Sequence, residues 1–399
     1  MTGPTVRERP RLTAIRAAWL FDGSGGDPLP EPIIVLDGTT IRSVRPGSSG
    51  PPDGADVVDH PGAYVLPGLV DTHVHLAFDA SPDPVGALAA RDDEAALAAM
   101  VAAGRAALRG GVTTVRDLGD RDYLSLGLRG RPDLPTILAS GPPLTCEGGH
   151  CHYLGGTAGA GESGLRAAVR EHAEREVDVI KIMGSGGTLT PGTRQEEAQF
   201  TAAELAAAVD EAHRLGLPVT VHAHATRAVA DAVAAGVDGM EHVSFWTAEG
   251  VDSPEPLMRE IAARGIVVGA TKGMVPPPPG LTPPPAVLAR LPKIAANERR
   301  MLELGVRLVA ATDAGIAPIK PPDVLRYAPT DLLRLGMTPV DALRTMTSVA
   351  AEVIGLGHRK GRVAAGYDAD LLLVDADPLA DPQALHAIRA VYRAGTPVA

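Results

Sequence analysis

From Val65 to Gly355 the chain repeats one pattern, a short apolar run followed by an Ala- and Leu-rich stretch of helical period. After the first run, Val65 to His75, come Val112 to Asp117, Pro135 to Ser140, Asp178 to Met183, Pro218 to His222, Gly239 to Val243, Ile266 to Ala270 and Val306 to Thr312. Helices are expected over Asp92 to Leu108, Gly164 to Glu176, Ala228 to Ala235, Glu255 to Arg264, Ala286 to Leu304, Asp323 to Leu335 and Pro339 to Gly355. Thr201-Ala202-Ala203-Glu204 is a capping box that opens a further helix to Leu215. Strands this apolar, without alternation, must be covered on both faces, and parallel strands joined by helices do that. Eight of them predict an α/β fold, a (β/α)8 TIM barrel spanning residues 65–355.

The chain ends have a different texture. Thr13 to Phe21 and Ile33 to Ile41 are short strands, the second interrupted by the hairpin signal Asp37-Gly38. The tail returns to β character at Gly361 to Val363, Ala369 to Asp375 and Ile388 to Gly395. Residues 1–64 and 356–399 are therefore expected to form one small β-sandwich domain built from both ends. Pro276 to Pro285 follows the seventh strand and is expected to be a stiff loop or lid.

In such a barrel, reacting groups sit at the C-terminal ends of the strands. The polar residues there are few. His73 and His75 are two apart, so in an extended strand both imidazoles project the same way and can share one ion, with Asp71 as an outer partner. Lys181 lies in the fourth strand, His222 and His224 end the fifth, Glu241-His242 the sixth and Thr312-Asp313 the eighth. A lysine between Ile180 and Ile182 is costly unless it is paired, with Asp313 or Glu241, or neutralised. A neutral lysine amine can take up carbon dioxide as a carbamate, an anion able to bridge two cations. Glu241 is expected on the opposite side of its strand from His242, and Asp117 as an orienting residue.

Composition narrows the partners. A net charge of −11 argues against nucleic acid or an anionic membrane, and 3% aromatics argues against a stacking platform. No apolar run reaches the roughly 20 residues that span a bilayer. Met1 to Arg11 is polar and lacks a hydrophobic leader, so a cytoplasmic location is expected. Cys146 and Cys151 are then expected as reduced thiols, with a redox pair the lesser reading.

Pro67-Gly68-Leu69-Val70-Asp71-Thr72-His73-Val74-His75, the strand-four lysine, the later single histidines and Ala311-Thr312-Asp313-Ala314 together resemble the amidohydrolase superfamily over essentially the whole chain. Lys181 to Gly187, Val221-His222-Ala223-His224 and Met240-Glu241-His242 are similar to its imidazolonepropionase-like and Xaa-Pro dipeptidase (prolidase)-like branch. The resemblance implies a binuclear, metal-dependent hydrolase acting on the C–N bond of a peptide-like or N-acyl amino acid substrate. One ion would be held by His73, His75 and Asp313, a second by His222 and His242, with carboxylated Lys181 bridging and zinc the expected metal. Alternation lets both His222 and His224 face inward; the match to the family's ligand position selects His222 and leaves His224 facing the substrate. Asp313 would move the proton between water and leaving amine, and His150 would contact the substrate, a solvated loop histidine being the plain alternative. Arg227, beside the site, suits a substrate carboxylate, although an exposed arginine is the simpler reading; Arg194 is a weaker choice, and Tyr153 and Trp246 are candidate walls. A small-molecule substrate and a homo-oligomer are expected. The competing readings are a hydrolase of a cyclic amide, ester or lactone on the same site, and a non-catalytic metal-binding barrel.

Overall fold

The computed structural model describes residues 12–398, so the expectation for Met1 to Arg11 lies outside the described residues. The chain opens with β1 (Thr13–Leu20), β2 (Leu29–Pro30), β3 (Pro32–Asp37), β4 (Thr40–Pro46) and β5 (Asp56–Pro67). The middle carries β6 (Leu69–Val74), β7 (Val112–Asp117), β8 (Thr136–Ala139), β9 (Ile180–Met183), β10 (Val219–Ala225), β11 (Gly239–Thr247), β12 (Gly250–Val251), β13 (Val267–Thr271) and β14 (Leu308–Ala311). The tail adds β15 (Leu371–Val374), β16 (Ile388–Arg393) and β17 (Thr396–Pro397).

Strands from both ends share one continuous eight-stranded sheet in the order β17-β16-β15-β5-β1-β3-β4, with β2 paired to β1. Leu371 to Val374 pairs antiparallel with Tyr64 to Pro67, which joins the tail to the strand entering the central region. Lys360, buried in that seam, reaches Asp368 at 2.8 Å and Asp370 at 2.5 Å. Truncating it leaves Asp368 with Arg359 and Asp370 with Arg393 and the Ala394 N–H, but removes the cation the two carboxylates share. Lys360→Ala is therefore expected to cost about 1.5–3 kcal/mol, the range for a hydrogen bond to a charged group, read by denaturant unfolding.

The central strands are parallel, β6-β7-β8 in one sheet and β14-β13-β11-β10-β9 in another, with β12 a short antiparallel addition to β11. Every residue of β6, β7, β9 and β14 is buried, as strands covered on both faces must be. The chain passes from β5 to β6 through Gly68, where a Cβ would lie 2.2 Å from the Thr113 hydroxyl. The two sheets touch along both outer edges. Val74 bridges Ala314, with Asp313 N–H donating to the His73 carbonyl at 2.8 Å and His75 N–H to the Ala314 carbonyl at 2.9 Å. On the other side Leu144 bridges Ile182, its N–H donating to the Lys181 carbonyl at 2.8 Å.

Two expected helices are broken. The run from Ala286 to Leu304 divides into Pro285–Leu288 and Leu291–Glu303 because Pro292, lacking an N–H, fits only in a first turn. The run from Pro339 to Gly355 divides into Pro339–Arg344 and Ser348–Val353, where the Thr345 and Thr347 hydroxyls donate back to the Ala342 and Leu343 carbonyls. No helix among the described residues is long and apolar enough to cross a membrane.

Candidate functional site

The C-terminal ends of β6, β9, β10, β11 and β14 converge on one cavity of about 50 Å³. His73, His75, Lys181, His222, His242 and Asp313 all border it, together with His150 and His224.

On β6 the period-two spacing brings His73 and His75 together, their Nε2 atoms 3.2 Å apart. Asp313 Oδ1, from the turn after β14, lies 3.4 Å from His73 Nε2 and 3.2 Å from His75 Nε2. Each imidazole is held from behind by a group that only accepts: Glu241 Oε2 at 3.1 Å from His73 Nδ1, and the Gly119 carbonyl at 3.2 Å from His75 Nδ1. Nδ1 therefore carries the proton and the Nε2 lone pair faces the carboxylate. Three acceptors facing one another repel unless a cation lies between them. Ligands on a tetrahedral ion with bonds of roughly 2.0–2.1 Å stand about 3.3–3.4 Å apart, so the set fits a divalent metal. Asp71 supports it, accepting the Thr312 hydroxyl at 2.6 Å and the His73 and Thr312 N–H groups at 3.2 Å, which locks β6 against β14.

A second group lies alongside. The donor atoms of His222, His224 and His242 are within 4.8 Å of one another. His222 Nε2 donates to the Gly186 carbonyl at 3.2 Å, which leaves Nδ1 as its free lone pair. The His224 ring stacks on His242 at 4.4 Å, while its Nδ1 is engaged by the Ser244 hydroxyl at 2.6 Å. Burial holds His73 down to about 4 and His224 to about 3, and keeps His222 and His242 well below the usual imidazole range. Near neutrality these rings are neutral donors for a cation.

Lys181 is the unusual member. It is 1% exposed and its Nζ has no hydrogen-bond partner, so the alternative of a salt bridge to Asp313 or Glu241 is not made. Burial lowers its ammonium to about 8. An orphaned donor at this depth costs roughly 1–3 kcal/mol or more, and a buried cation more still. The donor set around it suits an added anionic or metal partner.

His150 is buried on the cavity wall, its Nδ1 2.9 Å from the Thr190 hydroxyl and its N–H donating to Gln199 Oε1 at 2.5 Å. It is not a solvated loop histidine. Phe78, Met183, Leu189 and Ile316 give the cavity an apolar side.

Other expected contacts fall outside. Arg227 is largely exposed and drawn along its own helix to Asp231 at 2.7 Å, an i,i+4 pairing that turns it from the cavity. Arg227→Ala is accordingly expected to leave KM unchanged in steady-state assays and to alter stability by less than about 1 kcal/mol. Tyr153 lies behind the wall with its hydroxyl 3.7 Å from Cys151 Sγ, and Arg194 is paired with Glu196 and Glu197. Trp246 is covered by the Arg290 guanidinium at 4.6 Å. Cys146 and Cys151 are both free, and burial pushes the Cys151 thiol up to about 12. Pro276 to Pro285 borders none of the cavity, so it does not act as its lid here. Asp117 accepts the Leu76 and Gly119 N–H groups at 2.9 and 3.1 Å, and so places the carbonyl that holds His75.

Glu241 departs most from expectation. It faces the interior as His242 does, because His242 has φ 72° and breaks the strand's alternation. The available signal was Arg116, a cation inside a wholly buried strand that required a carboxylate partner.

Residues 64–398 match the amidohydrolase family. The chain belongs to that family. It is a hydrolase, and an enzyme acting on carbon–nitrogen bonds. Ochratoxinase of Aspergillus niger is 27% identical over 96% of this chain and 85% of its own length. Imidazolonepropionase of Cereibacter sphaeroides is 28% identical over 94% and 97%. A crystal structure of a Xaa-Pro dipeptidase with bound methionine in the active site superposes with a TM-score of 0.84, at 26% identity, over 97% of this chain and 99% of the other.

Proposed function

We propose that this amidohydrolase is binuclear and cleaves the amide bond of a peptide-like or N-acyl amino acid substrate. The observation that carries this is the spacing of 3.2–3.4 Å among His73, His75 and Asp313, beside a second imidazole group and an unpartnered Lys181 on the same cavity. One ion would be held by His73, His75 and Asp313 and the other by His222 and His242, and zinc would suit this nitrogen-rich set. Lys181, its neutral amine adding carbon dioxide and releasing a proton, would become an anion able to join both ligand sets. Two cations there would lower the pKa of a water and polarise the scissile carbonyl.

The chain supplies the rest. Asp313 takes the proton from the attacking water and returns it to the leaving nitrogen as the C–N bond breaks, giving an acid and an amine. His150, fixed by Thr190 and Gln199, meets the carbonyl side of the substrate, and His224 faces the substrate from β10. Contacts along both sheet edges support a closed (β/α)8 barrel over residues 65–355, and the shared terminal sheet supports a small domain from 1–64 and 356–399. The cramped cavity favours a compact cyclic amide, ester or lactone as the second reading.

Metal analysis is expected to return two divalent ions per chain, with activity lost on chelation and restored by zinc. A screen of N-acyl amino acids and dipeptides against lactams and lactones then separates the two substrate readings. Protein that binds no metal and cleaves none of them would remove both. His224→Phe is expected to keep both ions and raise KM; loss of an ion would place His224 in the ligand set instead.

A further inference from the structure

The carboxylate behind His73 is itself the centre of a buried network. Glu241 is 1% exposed. Its Oε1 accepts the Arg116 guanidinium at 3.1 Å and the Thr220 hydroxyl at 2.8 Å, and its Oε2 accepts His73 Nδ1–H at 3.1 Å. Arg116 is anchored in turn, its Nε donating to the Thr72 carbonyl at 2.7 Å, one residue before the histidine it serves. Four strands thus contribute: β7 the guanidinium, β10 the hydroxyl, β11 the carboxylate and β6 the imidazole. A fifth makes room, since a Cβ on Gly269 of β13 would lie 1.9 Å from Glu241 Oε2.

Burying an arginine, a glutamate and a threonine hydroxyl below the site is expensive as mere structure. A buried ion pair gains little over apolar packing of equal volume. What the network does accomplish is specific. It sets a carboxylate oxygen against the far nitrogen of a candidate metal ligand, fixes which nitrogen carries the proton, and holds the ring so that Nε2 points at His75 and Asp313. Arg116 and Thr220, both on Oε1, leave Oε2 aimed at the His73 ring.

We propose that Glu241, held by Arg116 and Thr220, is a positioning residue for the first metal position, acting through His73. This rests on the binuclear reading above. It assigns the sixth strand two tasks at once: His242 binds one ion, and Glu241 sets the affinity for the other from underneath.

The test is Zn²⁺ affinity, measured on purified full-length protein by competition with a chromophoric chelator, together with thermal unfolding of the metal-free chain. Glu241→Gln keeps an acceptor oxygen but no charge, and Glu241→Ala removes both. Affinity for one of the two ions is expected to fall about 10-fold and about 100-fold respectively, with the other ion unaffected. Gly269→Ala displaces the carboxylate without removing its charge and is expected to weaken the same ion, which covers the case in which the Glu241 variants fold poorly. Thr220→Val should give the mildest loss. A purely structural network predicts lower unfolding temperatures in this order but unchanged affinity for both ions, and that result would overturn the proposal while leaving the binuclear site intact. Unaltered protein that holds no divalent ion would overturn the functional reading and the relay with it.

Discussion

Lys181→Ala is expected to reduce turnover by at least about 10³-fold and to lower the metal content below two ions per chain. The lysine is fully enclosed, flanked by Ile180 and Ile182, and its Nζ has nothing to donate to. A side chain in that condition is a liability to the fold: truncating it removes an uncompensated polar group, so the metal-free variant should unfold no earlier than the parent. If Lys181 carries the bridge, the same truncation removes an anionic ligand shared by both ions and several kcal/mol of transition-state stabilisation, which at 1.36 kcal/mol per decade gives the stated loss. Stability and function are thus expected to move in opposite directions. Bicarbonate should speed reconstitution of the parent with zinc and have no effect on the variant. A variant that keeps two ions and full activity would remove the bridge.

Much of the site could be read in the chain because ligand chemistry is carried by residue type and strand position. His73 and His75 needed only the period of two, and the rule that strand ends face one mouth put His222, His224, His242 and Asp313 on the cavity, the choice of His222 over His224 coming from the family resemblance alone. The α/β alternation was equally open, since strands such as Ile180–Met183 admit no solvated face. What could not be read depends on local backbone choices. Positive φ at His242 rotates its side chain away from the alternation that the strand pattern implies, and this hid that Glu241 and His242 face the same side. Arg227 has a partner four residues ahead on its own helix, and the competition between Asp231 and a substrate is settled by geometry that spacing alone does not contain. Two helices were overextended because periodicity continues smoothly through Pro292 and through Thr345 to Thr347, where the backbone does not.

Asp313→Asn is expected to lower kcat by about 10²–10⁴-fold, the range of general acid–base contributions, while most of the metal stays bound. The argument turns on how little else changes. Asp313 sits at φ 61°, a left-handed conformation that Asn tolerates as readily as Asp, and its N–H bond to the His73 carbonyl belongs to the backbone. The amide oxygen can still approach His73 Nε2 and His75 Nε2 as a neutral ligand. What disappears is the carboxylate that accepts a proton from water and returns it to the leaving nitrogen. KM should move little, because no part of the substrate-facing wall at His150, Phe78 or Ile316 is touched. The comparison with Asp313→Ala is decisive: that variant also loses the ligand atom, so it should lose the ion held with His73 and His75. Equal kcat for the Asn variant and the parent, with both ions bound, would show that the proton is carried by another group facing the cavity, and His150 is then the one placed to do so.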